Sequence, residues 1–314
     1  MNNCLYCYQV IKDNYNNDFH PSCSKKLLGT TTPPLVDISF SQLEEIALNI
    51  VNKHISVTGV QPKLSLHLEK QKNILSRLTV VGVNGDFILK PPHHPFKDLP
   101  ENEDLTMHLA ETAGIHTAKH SLIRLASGEL AYLTRRYDRE GKKKLAVEDF
   151  CQLSERLTEH KYRGSLEKCG KLIDQFTENK GYDKQRFFEL AIFCYLTGNA
   201  DMHLKNFSLI ESPFGGYTLS PAYDLVNTAI VMPEDHEESA LTINGKKSKL
   251  KLQDFQKLAS SLGIPVKVSD YIFDHFQKLL PIWQNWVQHS FLSPDMKEEY
   301  TQFIQQKFHE LFKQ

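Results

Sequence analysis

The stretch Thr197-Gly198-Asn199-Ala200-Asp201-Met202-His203-Leu204-Lys205-Asn206-Phe207 follows a run of apolar residues at helical spacing and leads into the apolar run Phe207-Ser208-Leu209-Ile210. Gly198 is a helix stop, so Asp201 and Asn206 fall in a loop between two buried elements. An Asp with an Asn five positions later combines a carboxylate that can orient a hydroxyl with an amide oxygen that can ligate a divalent cation. Either residue alone also fits an ordinary loop role, Asp201 capping a turn and Asn206 satisfying a backbone amide.

Working outward, Leu219-Ser220-Pro221-Ala222-Tyr223-Asp224 supplies a second carboxylate at the end of a short extended run. With it, the Asp201 and Asn206 spacing is that of phosphoryl-transfer enzymes of the protein-kinase type, with Asp201 orienting the acceptor hydroxyl and Asn206 and Asp224 placed to hold Mg²⁺. Upstream, Asp183 is the expected cap of a helix whose Phe187, Leu190, Ala191 and Cys194 share one face and Phe188, Ile192 and Tyr195 another. A helix apolar nearly all round is buried, and it gives the loop after it a rigid support. Downstream, Phe207–Ile210 and Tyr217–Leu219 about Phe214-Gly215-Gly216 predict a hairpin carrying the chain from Asn206 to Asp224.

The N-terminal half reads as a small lobe of about five strands with one or two helices. Ser39 or Ser41 caps an amphipathic helix over Ser41–Val51. In Ile55-Ser56-Val57-Thr58-Gly59-Val60-Gln61-Pro62-Lys63, the Gly59 turn can lay backbone amides over phosphates or can be a plain hairpin turn. Leu64, Leu66 and Leu68 then alternate with polar residues as in a half-buried strand. Asn84-Gly85 between Leu78–Val83 and Asp86–Lys90 predicts a type I′ hairpin ending at Lys90. Pro91 and Pro92 stop that strand, leaving Lys90 either as a phosphate ligand or as a protective edge lysine. Glu101-Asn102-Glu103-Asp104 opens a helix through Ala113, stopped by Gly114. Glu101 or Glu103 could pair with Lys90, or each could simply complement the helix dipole. Leu122–Leu125 and Leu130–Thr134 predict another hairpin, after which Thr134–Gly141, with Arg135 and Tyr137, is the connector to a second lobe.

The bulk numbers agree with that division. A chain of 314 residues accommodates two cores of about 100 to 150 residues each. The 37 Lys and Arg balance 38 Asp and Glu, so no basic field points to direct nucleic-acid binding. The N-terminus lacks a signal pattern and no apolar run is long enough to span a bilayer, so the expected location is the cytoplasm. In that compartment the six cysteines are not a disulfide framework. Cys4, Cys7, His20 and Cys23, at C-x2-C-x12-H-x2-C spacing, instead predict a structural Zn²⁺ knuckle; a redox pair or incidental thiols are the alternatives. The expected fold is α+β: a bilobal kinase-like chain with a zinc segment over 1–30, an N-lobe over 31–139 and a helical C-lobe over 140–314. The charged stretches between 230 and 250 read as solvated surface. Three amphipathic helices are expected after about residue 252, with Trp283 and Trp286 in the core.

Taken together, Ser56–Lys63, Phe87-Ile88-Leu89-Lys90-Pro91, Gly198–Asn206 and Leu219–Asp224 resemble the HipA family of bacterial toxin serine/threonine kinases, over roughly residues 40 to 310. The resemblance implies that Ser56, Val57, Thr58, Gly59 and Val60 form the phosphate-covering loop, with Ser56 autophosphorylated and Thr58 a second position. It implies ATP and Mg²⁺ as cofactors, Lys90 on phosphate, Asp201 as base, Asn206 and Asp224 on Mg²⁺, and Arg135 to Tyr137 facing adenine. Lys63, His203 and Tyr223 belong to the same nucleotide-binding motifs. His203 stands where ordinary protein kinases carry Lys, so Lys205 or Lys63 is expected to supply that charge.

The chain is most similar to the short HipT form, in which the small N-terminal subdomain is a separate protein, HipS, and a DNA-binding HipB completes the operon. The resemblance implies a protein serine as substrate, with an aminoacyl-tRNA synthetase as the expected target. A small-molecule kinase of the aminoglycoside type and an inactive kinase-fold scaffold of a repressor complex are the alternatives.

Overall fold

A computed structural model of the chain describes residues 3–12, 18–34, 36–43, 45–46, 62–69, 76–81, 85–141 and 143–313. The chain divides into two compact units. One comprises Met1–Asp104, Ala118–Tyr137 and His289–Leu292, the other Leu105–Thr117, Asp138–Gln288 and Ser293–Gln314.

The first unit begins with α1 (Pro21–Leu28), which has Pro at its start and Gly29 at its C-cap with φ 73°. Residues 40–43 and 45–46 are helical, and Ser39 is the cap, its Oγ accepting from the Gln42 N–H at 3.3 Å. The strands β1 (Leu64–Glu69), β2 (Arg77–Val81), β3 (Phe87–Lys90), β4 (His120–Arg124) and β5 (Leu130–Arg135) form one antiparallel sheet in the order β2-β1-β3-β5-β4. Between β3 and β4 runs α2 (Leu99–Thr112), whose residues through Asp104 belong to this unit. Leu64, Leu66 and Leu68 point into the core beside Phe87, Leu89 and Leu133, as their alternation predicts.

One expectation fails here: β2 and β3 do not form a hairpin with each other. Both pair with β1, which lies between them. Asn84 lies outside the described residues. Gly85 serves a close approach, because a Cβ there would lie 2.5 Å from the Leu66 carbonyl oxygen. Its N–H donates to Ser65 Oγ at 2.9 Å, and the Asp86 N–H donates to Leu66 O at 2.8 Å. The turn signal marks a glycine that the sheet needs for another reason. The order also makes β3 an interior strand, so Lys90 is not an edge lysine.

The second unit holds β6 (Arg139–Glu140) and β7 (Lys143–Lys144) as a two-stranded ribbon, then β8 (Val147–Asp149) and the helices α3 (Phe150–Leu153), α4 (Leu166–Phe176) and α5 (Lys180–Thr197). Next come β9 (Ser208–Glu211) and β10 (Tyr217–Leu219), the predicted hairpin, to which β8 adds a third antiparallel strand. The helices α6 (Thr228–Val231), α7 (Leu252–Ser261), α8 (Val266–Gln277), α9 (Leu280–His289) and α10 (Pro294–Phe312) complete it. Four helices follow residue 252, not three. α8 and α9 are separated only by Lys278 and Leu279, and Pro281, in the first turn of α9, marks the break. Trp283 is fully buried with Phe193 and Phe308 edge-on at 5.5 and 5.3 Å, while Trp286 stacks on His108.

α5 is the buried helix expected from its pattern, but Asp183 is not its cap. Asn179 occupies that position. Asp183 is fully buried within the first turn, where it accepts from Thr218 Oγ1 at 2.9 Å and from Arg186 Nη1 at 3.2 Å. A buried carboxylate so bonded ties α5 to β10, which is a stronger demand than capping. The acidic and basic stretches between 230 and 250 are less uniformly solvated than their composition suggests, since Glu238 accepts from the largely buried Lys307. Among the described residues, no helix is long and apolar enough to cross a membrane.

Candidate active site

In the helical unit, Gly198 closes α5 in the left-handed region at φ 69°. A side chain there would collide with Phe303 and with Asn227 Oδ1, so only glycine turns the chain at this point. The loop beyond it is held at both ends. The Ala200 N–H donates to Thr228 Oγ1 at 2.9 Å, and the Leu204 N–H donates to Lys161 O at 3.1 Å. Leu204–Asn206 forms a single 3-10 turn.

Within the loop, Asn206 Nδ2 donates to the Asp201 carbonyl at 2.9 Å. That bond uses one of the two amide N–H groups and orients the amide, leaving Oδ1 as the atom suited to a cation. The Tyr162 hydroxyl donates to Asp201 Oδ1 at 2.7 Å. Burial and this bond push the Tyr162 hydroxyl well above its ordinary pKa, so it remains a donor. Tyr162 was not among the residues expected from sequence. It lies 39 positions upstream in a stretch with no motif, and only folding brings it to the carboxylate.

Tyr223 staples the loop to the hairpin, its hydroxyl donating to Lys205 O at 2.9 Å and meeting Ser208 Oγ at 2.6 Å. Asp224, directly after it, sits at φ 59°, a strained conformation of the kind that collects at functional sites. His203 is buried, and burial holds its imidazole below its ordinary pKa against the opposite pull of the Asp201 and Asp224 carboxylates. Lys205, expected as a substitute charge, donates from Nζ to Asp149 Oδ2 at 2.6 Å. The structure therefore gathers Asp201, His203, Asn206, Tyr223 and Asp224 into one part of this unit.

In the β-rich unit, Lys90 and Glu103 form a buried ion pair, Nζ to Oε1 at 2.6 Å, with only 4% and 1% of each residue exposed. Glu103 is the partner, not Glu101. Residues two apart on a helix point about 200° apart, so only one of them faces β3. The Lys90 ammonium also lies 5.5 Å from the centre of the Tyr132 ring. Arg135 ends β5, exposed, with its N–H on Lys119 O at 2.7 Å. Tyr137 is half-buried and Lys63 is exposed just before β1. Ser56, Val57, Thr58, Gly59 and Val60 lie outside the described residues.

The same unit assembles Cys4, Cys7, His20 and Cys23, whose ligand atoms all lie within 4.8 Å of one another. His20 Nδ1 is 3.4 Å from Cys7 Sγ and 3.9 Å from Cys23 Sγ, and its Nε2 meets Val10 O at 3.3 Å. All six cysteines are free thiols.

Residues 55–283 match the family described as the HipA-like C-terminal domain, well over half of the chain. The chain belongs to this family. A Sinorhizobium fredii protein described as a putative kinase, Y4dM, is 30% identical over 244 residues, covering 73% of this chain and 59% of that protein. The serine/threonine-protein kinase toxin HipA of Shewanella oneidensis is 28% identical over 235 residues, 67% of this chain and 52% of that one. The chain thus spans between half and three fifths of the length of these relatives. The solved Shewanella oneidensis HipA, in complex with HipB and its operator DNA, superposes with a TM-score of 0.69 at 20% identity, over 90% of this chain and 75% of that one. The Helicobacter pylori proinflammatory kinase CtkA gives 0.53 at 14% identity, over 80% and 96%. These likenesses show the fold, a bilobal α+β kinase-like architecture with a β-rich and a helical lobe.

Proposed function

We propose that this chain is an ATP-dependent protein serine/threonine kinase of the toxin type. The observation that carries the reading is the Asp201 loop, where Asn206 is locked with its amide oxygen available and the Asp201 carboxylate already accepts a hydroxyl hydrogen bond. A carboxylate and an amide oxygen suit a hard cation, so Asn206 and Asp224 are the Mg²⁺ ligands of this reading. Mg²⁺ when bound neutralises phosphate charge. Lys90 holds the phosphates, with Glu103 fixing the ammonium in place. Asp201 orients the serine hydroxyl and takes its proton as the Oγ–P bond forms and the bond from γ-phosphorus to the bridging oxygen of ADP breaks. Arg135 to Tyr137 face adenine, and Ser56 to Val60 with Lys63 cover the phosphates.

Ser56, or Thr58 beside it, is the autophosphorylation position. A phosphate there adds about two negative charges to a loop that receives ATP, so it suppresses nucleotide binding. A HipB-like DNA-binding antitoxin and a small HipS-like protein are the partners, and an aminoacyl-tRNA synthetase is the target class. The solved Shewanella relative, held with HipB on DNA, supports the first of these. Cys4, Cys7, His20 and Cys23 hold a structural Zn²⁺. The reading places the zinc segment at residues 1–30 and the lobes at 31–139 and 140–314.

Incubating the chain with γ-labelled ATP and Mg²⁺, wild type against Asp201→Asn, tests the catalytic claim. Label on protein in the wild type alone is expected. Equal labelling of both, or none in either, overturns it, and transfer to an aminoglycoside but not to protein points to the small-molecule reading.

A further inference from the structure

The N-terminal segment does more than fold over its four ligands. Tyr8, next to the ligand Cys7, is almost fully buried at φ 60°, with its N–H donating to Cys4 O at 2.9 Å. Its hydroxyl donates to Asp104 Oδ2 at 2.7 Å, 96 residues away. Asp104 is itself buried and paired through Oδ1 with His120 Nδ1 at 2.7 Å. It directly follows Glu103, the partner of Lys90. The same segment grips β4 at two further points. Ser121 Oγ donates to Leu5 O at 2.9 Å, and Arg124 is bidentate on Asp18.

We infer that one Zn²⁺ bound by Cys4, Cys7, His20 and Cys23 sets the Tyr8 kink, and through Tyr8 and Asp104 fixes the start of α2 on which Glu103 holds Lys90. This deepens the kinase reading and rests on it only for the consequence, that the metal state governs the phosphate-binding lysine. Ligand atoms within 4.8 Å need little movement to reach the edges of about 3.8 Å that Zn–S bonds of about 2.3 Å imply. His20 is oriented for it, since an Nε2–H donated to Val10 O leaves the Nδ1 lone pair facing the thiols. The His20 N–H donates to Cys4 Sγ at 3.4 Å, the kind of bond that favours a thiolate. Binding deprotonates each thiol it engages and releases those protons to solvent. The left-handed backbone at Tyr8 is held jointly by the four ligands and by the turn around it, with the Cys4 N–H on Gln9 O at 2.9 Å and an antiparallel bridge from Asn3 to Val10. Without the metal the ligands' share of that hold is lost, and a tyrosine at φ 60° is the strained point that yields. Its hydroxyl then withdraws from Asp104.

The test uses the full chain. Protein purified without chelator is assayed for zinc by ICP-MS, and amide hydrogen exchange is followed across α2 in the zinc-loaded, chelated and Tyr8→Phe forms. One zinc per chain is expected, lost in Cys7→Ser. Exchange at the start of α2 is expected to quicken about tenfold on chelation and in Tyr8→Phe, which keeps its zinc. No stoichiometric zinc overturns the inference, and so does Tyr8→Phe protein whose α2 exchanges as slowly as wild type. The Tyr8→Phe arm decides even where chelation unfolds the chain. A chain that transfers no phosphate would sink the kinase reading and leave these two readouts standing.

Discussion

The Tyr162 hydroxyl donates to Asp201 Oδ1 across 2.7 Å, so the carboxylate proposed to accept a substrate hydroxyl already holds one from its own chain. Tyr162 is 43% exposed, which lets an incoming hydroxyl compete for that oxygen from solvent. Tyr162→Phe should therefore raise the initial rate of phosphate transfer by about tenfold, the lower end of the worth of a hydrogen bond to a charged group because the tyrosine is partly exposed. Initial rates with labelled ATP measure it. A fall in rate with ATP affinity unchanged would instead make Tyr162 a positioning residue for the carboxylate.

The Lys90–Glu103 pair separates a structural from a functional lysine. Lys90→Met leaves Glu103 buried beside an apolar chain and should destabilise the protein by about 3 to 5 kcal/mol in urea denaturation. Adding Glu103→Leu should recover much of that stability, because an apolar pair needs no desolvation of charge. Nucleotide binding, measured by calorimetry, should stay lost in the double variant. Recovery of both would show that Lys90 serves the fold alone.

Glu101, on the face of α2 away from Lys90, predicts a pH dependence. Burial, with Asp98 and Asp104 adding to it, pushes its carboxyl from the ordinary 4.5 up to about 8. Between those values the folded chain keeps the proton and the unfolded chain loses it, so stability falls as pH rises across the window and levels off above it. The loss should be about 2 kcal/mol between about pH 5 and 8, since the residue is only half-buried. Glu101→Gln should flatten the curve when denaturation midpoints are compared across that range. An unchanged slope would place the dependence elsewhere.

Gly198→Ala should disturb the Asp201 loop from its root. The new Cβ would lie 2.5 Å from the Phe303 ring and 2.7 Å from Asn227 Oδ1, at a φ of 69°. A loss of about 1 to 3 kcal/mol is expected from the backbone strain alone. Thermal denaturation reads that loss, and hydrogen exchange at Ala200 to Asn206 reports whether the loop moves with it.

Much of this arrangement was legible in local windows. The Asp201 to Asn206 spacing, the alternation of Leu64, Leu66 and Leu68, the apolar girdle of α5 and the C-x2-C pair each depend on residues within one turn or strand of each other. The failures share a different cause. Asn84-Gly85 looks like a hairpin because turn chemistry is local, but β1 outcompetes that pairing by burying leucines against both neighbours. Asp183 looks like a cap because caps and buried carboxylates use the same side chain, and only Thr218 and Arg186 tell them apart.

The sequence by itself determined which residues are candidates for chemistry and at what spacing, because each candidate motif is short. Only the tertiary structure decided how they are held. It placed β1 between β2 and β3, chose Glu103 over Glu101, set Tyr162 on Asp201 and tied Tyr8 to Asp104. The last three pairings join residues 13 to 96 positions apart, and such contacts follow from how whole elements bury their apolar faces, which no local pattern encodes.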